Sequence, residues 1–436
     1  MCYECGVVVF PAIYRRIESW LLSTTQEEPL LRRVMPELDS IRGIAILMVL
    51  VYHAFYWRTN LSVLPRVTRL FVYATWPGRL GVNLFFVLSG FLITGLLVES
   101  AGREDYFKRF YVRRVLRILP VYYGILLILA VTHQASGDFL GLSAIYLSNL
   151  TPMFGIEQSY VVLWSLAVEE HFYLIWPAVV RRLTQRRLLY LSGAIVLAAP
   201  AVRAFSYVIA SRRGSDWVEV AGYTWNAADA LALGCFLTLA LREFHWDRRT
   251  TLRVALGTIF ASAAFFWAGV PFGIMTRTSD VFGAALQEVP WNFAFAGLVA
   301  LFLVLGTGNR KALAVPRMLR FFGRISYGLY LVHILIFSTY DAIMTRYSPG
   351  LTKSWDHPGR LGIRFLVASA AAVLLAWISR ETFEEFFLSR KEGWCGKDSF
   401  HRACPVAKGR LCYLLGAAIR VDLDCLGFTS CFLSSA

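Results

Sequence analysis

The sequence predicts an all-α fold: a polytopic transmembrane helix bundle of about ten spans with one further re-entrant or non-spanning segment. Three observations carry that prediction. Of 436 residues, 57% are hydrophobic and only 17% charged. A soluble domain has about 45–50% apolar and about 25% charged residues, so too little polar surface exists to cover a water-soluble body of this size. The apolar residues gather into runs approaching the roughly 20 residues that a helix needs to cross a bilayer. The basic charge, 44 Lys and Arg against 29 Asp and Glu, sits in short clusters between those runs. That is the distribution of cytoplasmic loops, not of a nucleic-acid surface. Such plentiful apolar sequence also excludes a disordered chain.

In chain order the runs fall near 41–57, 80–98, 117–132, 164–180, 188–210, 225–241, 254–270, 291–305, 325–341 and 362–380. With the N-terminus on the cytoplasmic side, the inside loops 99–117, 181–187, 242–253 and 306–324 hold 19 Lys and Arg, and the five outside loops hold 10. This is the expected asymmetry. Residues 139–155 (FLGLSAIYLSNLTPMFG) form a shorter, more polar run. Counted as a span, it would invert everything after it. It is therefore expected to be re-entrant or to lie on the outer face, buried in protein or lining a wet cavity.

Residues 36–390 read as one membrane domain. Residues 1–35 form an N-terminal extension without the basic start of a signal peptide. Residues 391–436 form a tail that holds five of the eight cysteines at spacings that fit no zinc motif. Cys235, in an apolar run, reads as a packing residue.

Ionisable groups inside spans are costly and are functional candidates by default. Arg42 and His53 share the first run, eleven residues apart, which is three turns plus about 20°. Both therefore face one side, about 16 Å apart along the axis. Arg113, Arg114 and Arg117 stand at the mouth of the third run, with Arg114 and Arg117 on one face. A guanidinium fork suits phosphate oxygens, while basic residues there would also serve as an inside anchor. Glu169 and Glu170 lie in LWSLAVEEHFYLIWP and need a cation, with His53 or an arginine the natural partner. Asp229 and His333 are lone polar groups that fit polar glue between helices, as do Asn83 and Ser89. Gly81, Gly90 and Gly95 allow close helix packing. Arg203 and Arg364, isolated in their runs, read as interfacial.

Taken together, LDSIRGIAILMVLVYH, GVNLFFVLSGFLITGLL, YVRRVLRILPVYY, LWSLAVEEHFYLIWP, ADALALG and ISYGLYLVH, in that order, resemble acyltransferase family 3, integral membrane enzymes that O-acetylate surface polysaccharides and related glycans. The resemblance covers about residues 36–385. It implies that Arg42 and His53 are the essential pair of the first span. It implies that Arg114 and Arg117, with Arg113 beside them, engage an acyl-CoA donor, and that Glu170 is an acidic position of the catalytic region. Relatives often have Gln where this chain has His171. They also often carry an esterase domain after the membrane part, for which residues 391–436 are too few.

The expected function is therefore transfer of an acyl group, acetyl in the simplest case, from acyl-CoA on the cytoplasmic side to a hydroxyl of a carbohydrate acceptor outside. The bilayer of a bacterial cytoplasmic membrane would be its setting, and neither a metal nor a nucleic-acid partner is expected. His53 would act as base. Glu170, if it reaches His53, would fix its tautomer. The arginines would hold the CoA phosphates. Alternatives are a flippase for a lipid-linked glycan, or the same transfer to a lipid or small metabolite.

Overall fold

The computed structural model describes residues 29–32, 34–57, 59–274, 280–307, 316–348 and 358–389. The cysteine-rich tail and residues 1–28 of the N-terminal extension lie outside the described residues. No strand occurs among the described residues, and ten long helices do: α1 Pro36–Val51, α2 Gly81–Ser100, α3 Tyr106–Val131, α4 Leu163–Arg182, α5 Gln185–Arg212, α6 Thr224–Glu243, α7 Arg248–Gly269, α8 Val289–Gly306, α9 Arg317–Tyr347 and α10 Pro358–Ser379. Each falls on one of the apolar runs. Among the described residues, nine segments are long and apolar enough to span a membrane. The helix left out is α4. At 20 residues it is long enough, but Glu169, Glu170, His171 and the terminal Arg181 and Arg182 make it too polar.

The helix ends follow from local chemistry. Thr184 caps α5, its side chain accepting from the Arg187 amide, and Asp247 caps α7 by accepting from Thr250 N at 2.8 Å. Arg181 and Arg182 close α4 where the free carbonyls favour positive charge. Between α3 and α4 the chain makes only the eight-residue helix Gly137–Ala144 and the 3-10 turn Ser148–Phe154. Eight residues rise about 12 Å, so this segment does not span, as its polarity implied. Its polar groups are held by protein: Ser148 Oγ donates to Leu163 O at 2.9 Å, and Asn149 Nδ2 to Thr224 Oγ1 at 2.9 Å.

Packing draws α1 against α9, α2 against α6, α6 against α5 and α7 against α8. The contact of α2 with α6 depends on glycine from both sides. A Cβ on Gly90 would stand 1.9 Å from the Leu231 carbonyl oxygen, and one on Gly234 1.9 Å from that of Val87. Only hydrogen fits where these backbones cross. Burial then sorts the bundle. The apolar stretch of α6 is 78% buried and that of α7 only 22%, so α6 is central and α7 is left to lipid.

Candidate active site

A cavity of about 110 Å³ opens between α1, α2, α3, α4 and α9. It gathers Arg42 from α1, Ser89 from α2, Arg114 and Arg117 from α3, and Glu169 and Glu170 from α4. Residues far apart in sequence thus meet on the grounds of charge. Glu169 Oε1 accepts from Ser89 Oγ at 2.7 Å, and Tyr173 OH donates to Ser89 Oγ at 3.4 Å. The Arg114 guanidinium lies 3.9 Å from the Tyr173 ring centroid, a cation–π contact. Arg42 pairs with Asp39 at 2.8 Å, one turn back on its own helix. Among the described residues, Arg114 and Arg117 have no carboxylate within 4.0 Å, although both line the same cavity as two glutamates. Glu170 accepts no hydrogen bond there either. Arg113 is not among the lining residues.

His53 is not in that cavity. Helix α1 converts to a π turn over Tyr52–Tyr56, and His53 sits in it, 9% exposed. Single π turns inside α-helices recur at functional sites. The imidazole Nδ1 lies 2.9 Å from Val49 O and 3.3 Å from Nε2 of His333, which is fully buried on α9. His333 Nδ1 in turn lies 3.1 Å from Leu329 O. A carbonyl can only accept, so each Nδ1 carries the proton. His333 Nε2 is then a bare lone pair that can only accept from His53 Nδ1. The order of donors and acceptors leaves His53 Nε2 as a free acceptor.

The anticipated pairing of His53 with Glu170 is therefore replaced. The Val49 carbonyl sets the tautomer of His53, and the side chain that its Nδ1 meets is His333, 280 residues away in sequence, not merely glue between helices. Between the cavity and the two imidazoles stands Tyr330. It lines the cavity, its hydroxyl lies 2.5 Å from Ser165 Oγ, and its ring centroid is 5.8 Å from that of His333.

Two further arginines, read as isolated, have acidic partners. Arg203 is 1% exposed and donates to Asp229 Oδ2 at 2.8 Å and to Ala285 O at 3.1 Å. From Asp229 a chain of hydrogen bonds continues through Asn292 at 3.1 Å to Asn83 at 2.9 Å. Arg364, 7% exposed, grips Asp341 with two bonds of 2.7 and 2.8 Å. In each case a lone base and a lone acid in neighbouring spans found each other. That signal was readable as a pair, but not from either residue alone.

Comparison with known proteins adds an independent line. Residues 35–381 match the sequence profile of a family described as an acyltransferase domain. The chain is 27% identical over 339 residues to the putative peptidoglycan O-acetyltransferase YrhL of Bacillus subtilis, covering 70% of this chain and 49% of that protein. It is 31% identical over 168 residues to the peptidoglycan O-acetyltransferase OatA of Listeria monocytogenes, covering 34% of this chain and 24% of that one. A putative O-acetyltransferase of Staphylococcus aureus is 25% identical over 338 residues, 70% of this chain and 51% of the other. The chain thus spans about half the length, or less, of these curated relatives. No solved structure matches it.

Proposed function

We propose, from the premise that this chain belongs to the acyltransferase domain family, that it transfers an acetyl group from acetyl-CoA to a hydroxyl of a cell-envelope glycan. The observation that carries the proposal is the cavity holding Arg114 and Arg117 without a carboxylate partner. Unpaired guanidinium groups inside a helix bundle are costly, and a bound polyanion removes that cost. The phosphates of CoA supply several acceptor oxygens of the geometry that an arginine fork matches. The basic residues at the N-terminal end of α3 favour the cytoplasmic side for this anionic end. The names of the relatives favour peptidoglycan as the acceptor.

In this reading the nucleotide stays among Arg42, Arg114 and Arg117 while the pantetheine arm carries the thioester past Tyr330 to His53. The acceptor hydroxyl attacks the thioester carbonyl, a C–O bond forms, and the hydroxyl proton passes to His53 Nε2. Collapse of the tetrahedral intermediate breaks the C–S bond. The departing thiolate takes a proton from the imidazolium, which returns His53 to its starting state. The Val49 carbonyl and His333 Nε2 share the Nδ1 proton of His53 throughout, the role that an orienting group plays beside a catalytic base. Glu170 belongs to the donor cavity and leaves the imidazole to His333.

The test is transfer from radiolabelled acetyl-CoA to soluble peptidoglycan fragments by the full chain in nanodiscs, with mass spectrometry of the product. Acetylated fragments with the intact chain, and none with His53→Ala, are expected. Transfer at the normal rate by His53→Ala would remove the imidazole from its role. A wild-type chain that consumes no acetyl-CoA would overturn the donor assignment.

A further inference from the structure

The last carbonyls of a helix lack an intrahelical partner, and the helix that carries His53 ends only three residues after it. Tyr52 O accepts from Trp57 N at 3.1 Å, Phe55 O from Thr59 Oγ1 at 2.6 Å and Tyr56 O from Thr59 N at 3.2 Å. The Ala54 carbonyl, next to His53, is met from elsewhere: Arg364 Nη1 of α10 donates to it at 2.5 Å. The opposite edge of the same guanidinium is clamped by both oxygens of Asp341, and its carbon lies 4.9 Å from the Phe337 ring centroid.

The placement on α9 is informative. His333, Phe337 and Asp341 follow at intervals of four, on one face of the helix. One helical stripe therefore holds both the His53 ring, through His333, and the arginine that holds the backbone under that ring. A π turn is a locally irregular backbone, and an extra anchor on its carbonyl limits where the imidazole can stand. Only a guanidinium has the donors to grip a carboxylate with one edge and a carbonyl with another.

We infer that Arg364, aimed by Asp341, is a positioning residue for His53: it pins the Ala54 carbonyl and so fixes the imidazole against His333 with Nε2 presented to the reacting groups. This rests on the reading of His53 as the base. A misplacement of about 1 Å at a reacting group costs about 10²-fold in rate.

The experiment compares Arg364→Met, the exchange Arg364→Asp with Asp341→Arg, and His53→Ala, in nanodiscs with radiolabelled acetyl-CoA and soluble peptidoglycan fragments. Arg364→Met should lower kcat by about 10²-fold while KM for acetyl-CoA stays within about twofold. The exchange restores an ion pair between α9 and α10 and with it thermal stability, yet kcat should remain low, because an aspartate at 364 has no N–H for the Ala54 carbonyl. Recovery of kcat by the exchange, or an unchanged kcat in Arg364→Met, would show the ion pair to be a structural tie only. Should either variant fail to insert, Asp341→Asn decides. It leaves the donor to Ala54 in place but loosens its aim, so kcat should fall with KM unchanged, and a wild-type kcat overturns the inference. An active His53→Ala sinks the base reading itself. An inactive His53→Ala beside a fully active Arg364→Met sinks this inference alone.

Discussion

Two regions of this bundle handle charge in opposite ways. Around Arg203 the charge is paired: Asp229, the main-chain carbonyls of Asn226 and Ala285, and Asn292 meet the guanidinium and its counter-ion, leaving only Arg203 Nη2 and Asp229 Oδ1 without a partner among the described residues, and the group ties α5, α6 and α8 together. Around Arg114 and Arg117 it is left open. Two guanidinium groups and the Glu170 carboxylate line a cavity without closing onto one another. The difference teaches that an ionisable residue in a span is not by itself a site. A site is marked by charge that the fold has gathered and not spent.

The largest effect is expected at His53, which lies outside that cavity, beyond Tyr330. His53→Ala should lower the transfer rate by about 10²–10⁴-fold, the range for loss of a general base, with no change in the amount of inserted protein. Steady-state transfer and detergent-extracted yield measure the two. In the closed region the effect should be on folding. Asp229→Ala strands Arg203 and should destabilise by about 3–5 kcal/mol, as breaking a buried pair does. Replacing both partners by apolar residues, Arg203→Met with Asp229→Leu, should recover much of that loss. Thermal unfolding followed by tryptophan fluorescence reports it, and equal stability of Asp229→Ala and the wild type would erase the contrast.

The open arginines should behave oppositely. Arg114→Ala with Arg117→Ala should leave stability within about 1 kcal/mol and raise KM for acetyl-CoA by about 10-fold or more, as loss of charge-assisted bonds does. An unchanged KM would move the phosphates elsewhere. The smallest effect is expected outside both regions. Asp247→Ala removes the α7 cap and should cost about 1 kcal/mol, while Asp247→Asn should keep most of it. Hydrogen bonds from the Thr250 side chain and amide hold the Asp247 carboxyl below the usual carboxylate range. This contribution is therefore complete at neutral pH and fades as pH falls through that lowered value.

The sequence made most of the architecture legible. Ten apolar runs became ten helices, and 139–155, read as too short and too polar to cross, became a short helix and a 3-10 turn. Arg42, Arg114 and Arg117, each an expensive residue in a place where expense needs a reason, do line one cavity, but Glu170, expected beside His53, lies there with them and Arg113 does not. Three assignments went astray for one shared cause. Arg203 and Arg364 looked isolated, although Asp229 and Asp341 lie only 26 and 23 positions away, about one helical hairpin. His53 seemed to need a carboxylate, and its partner was another imidazole on α9.

Apolar length, charge clusters and capping residues act over a few turns, so the chain alone determined where its helices lie, where they stop and which of their residues are costly. Which costly residue meets which is a matter of helix crossing, and crossing depends on contacts far apart in sequence, such as Gly90 on the Leu231 carbonyl. Only the assembled bundle could therefore decide that His53 answers to His333, that Arg364 reaches the carbonyl beside it, and that Arg114 and Arg117 share a cavity with two glutamates.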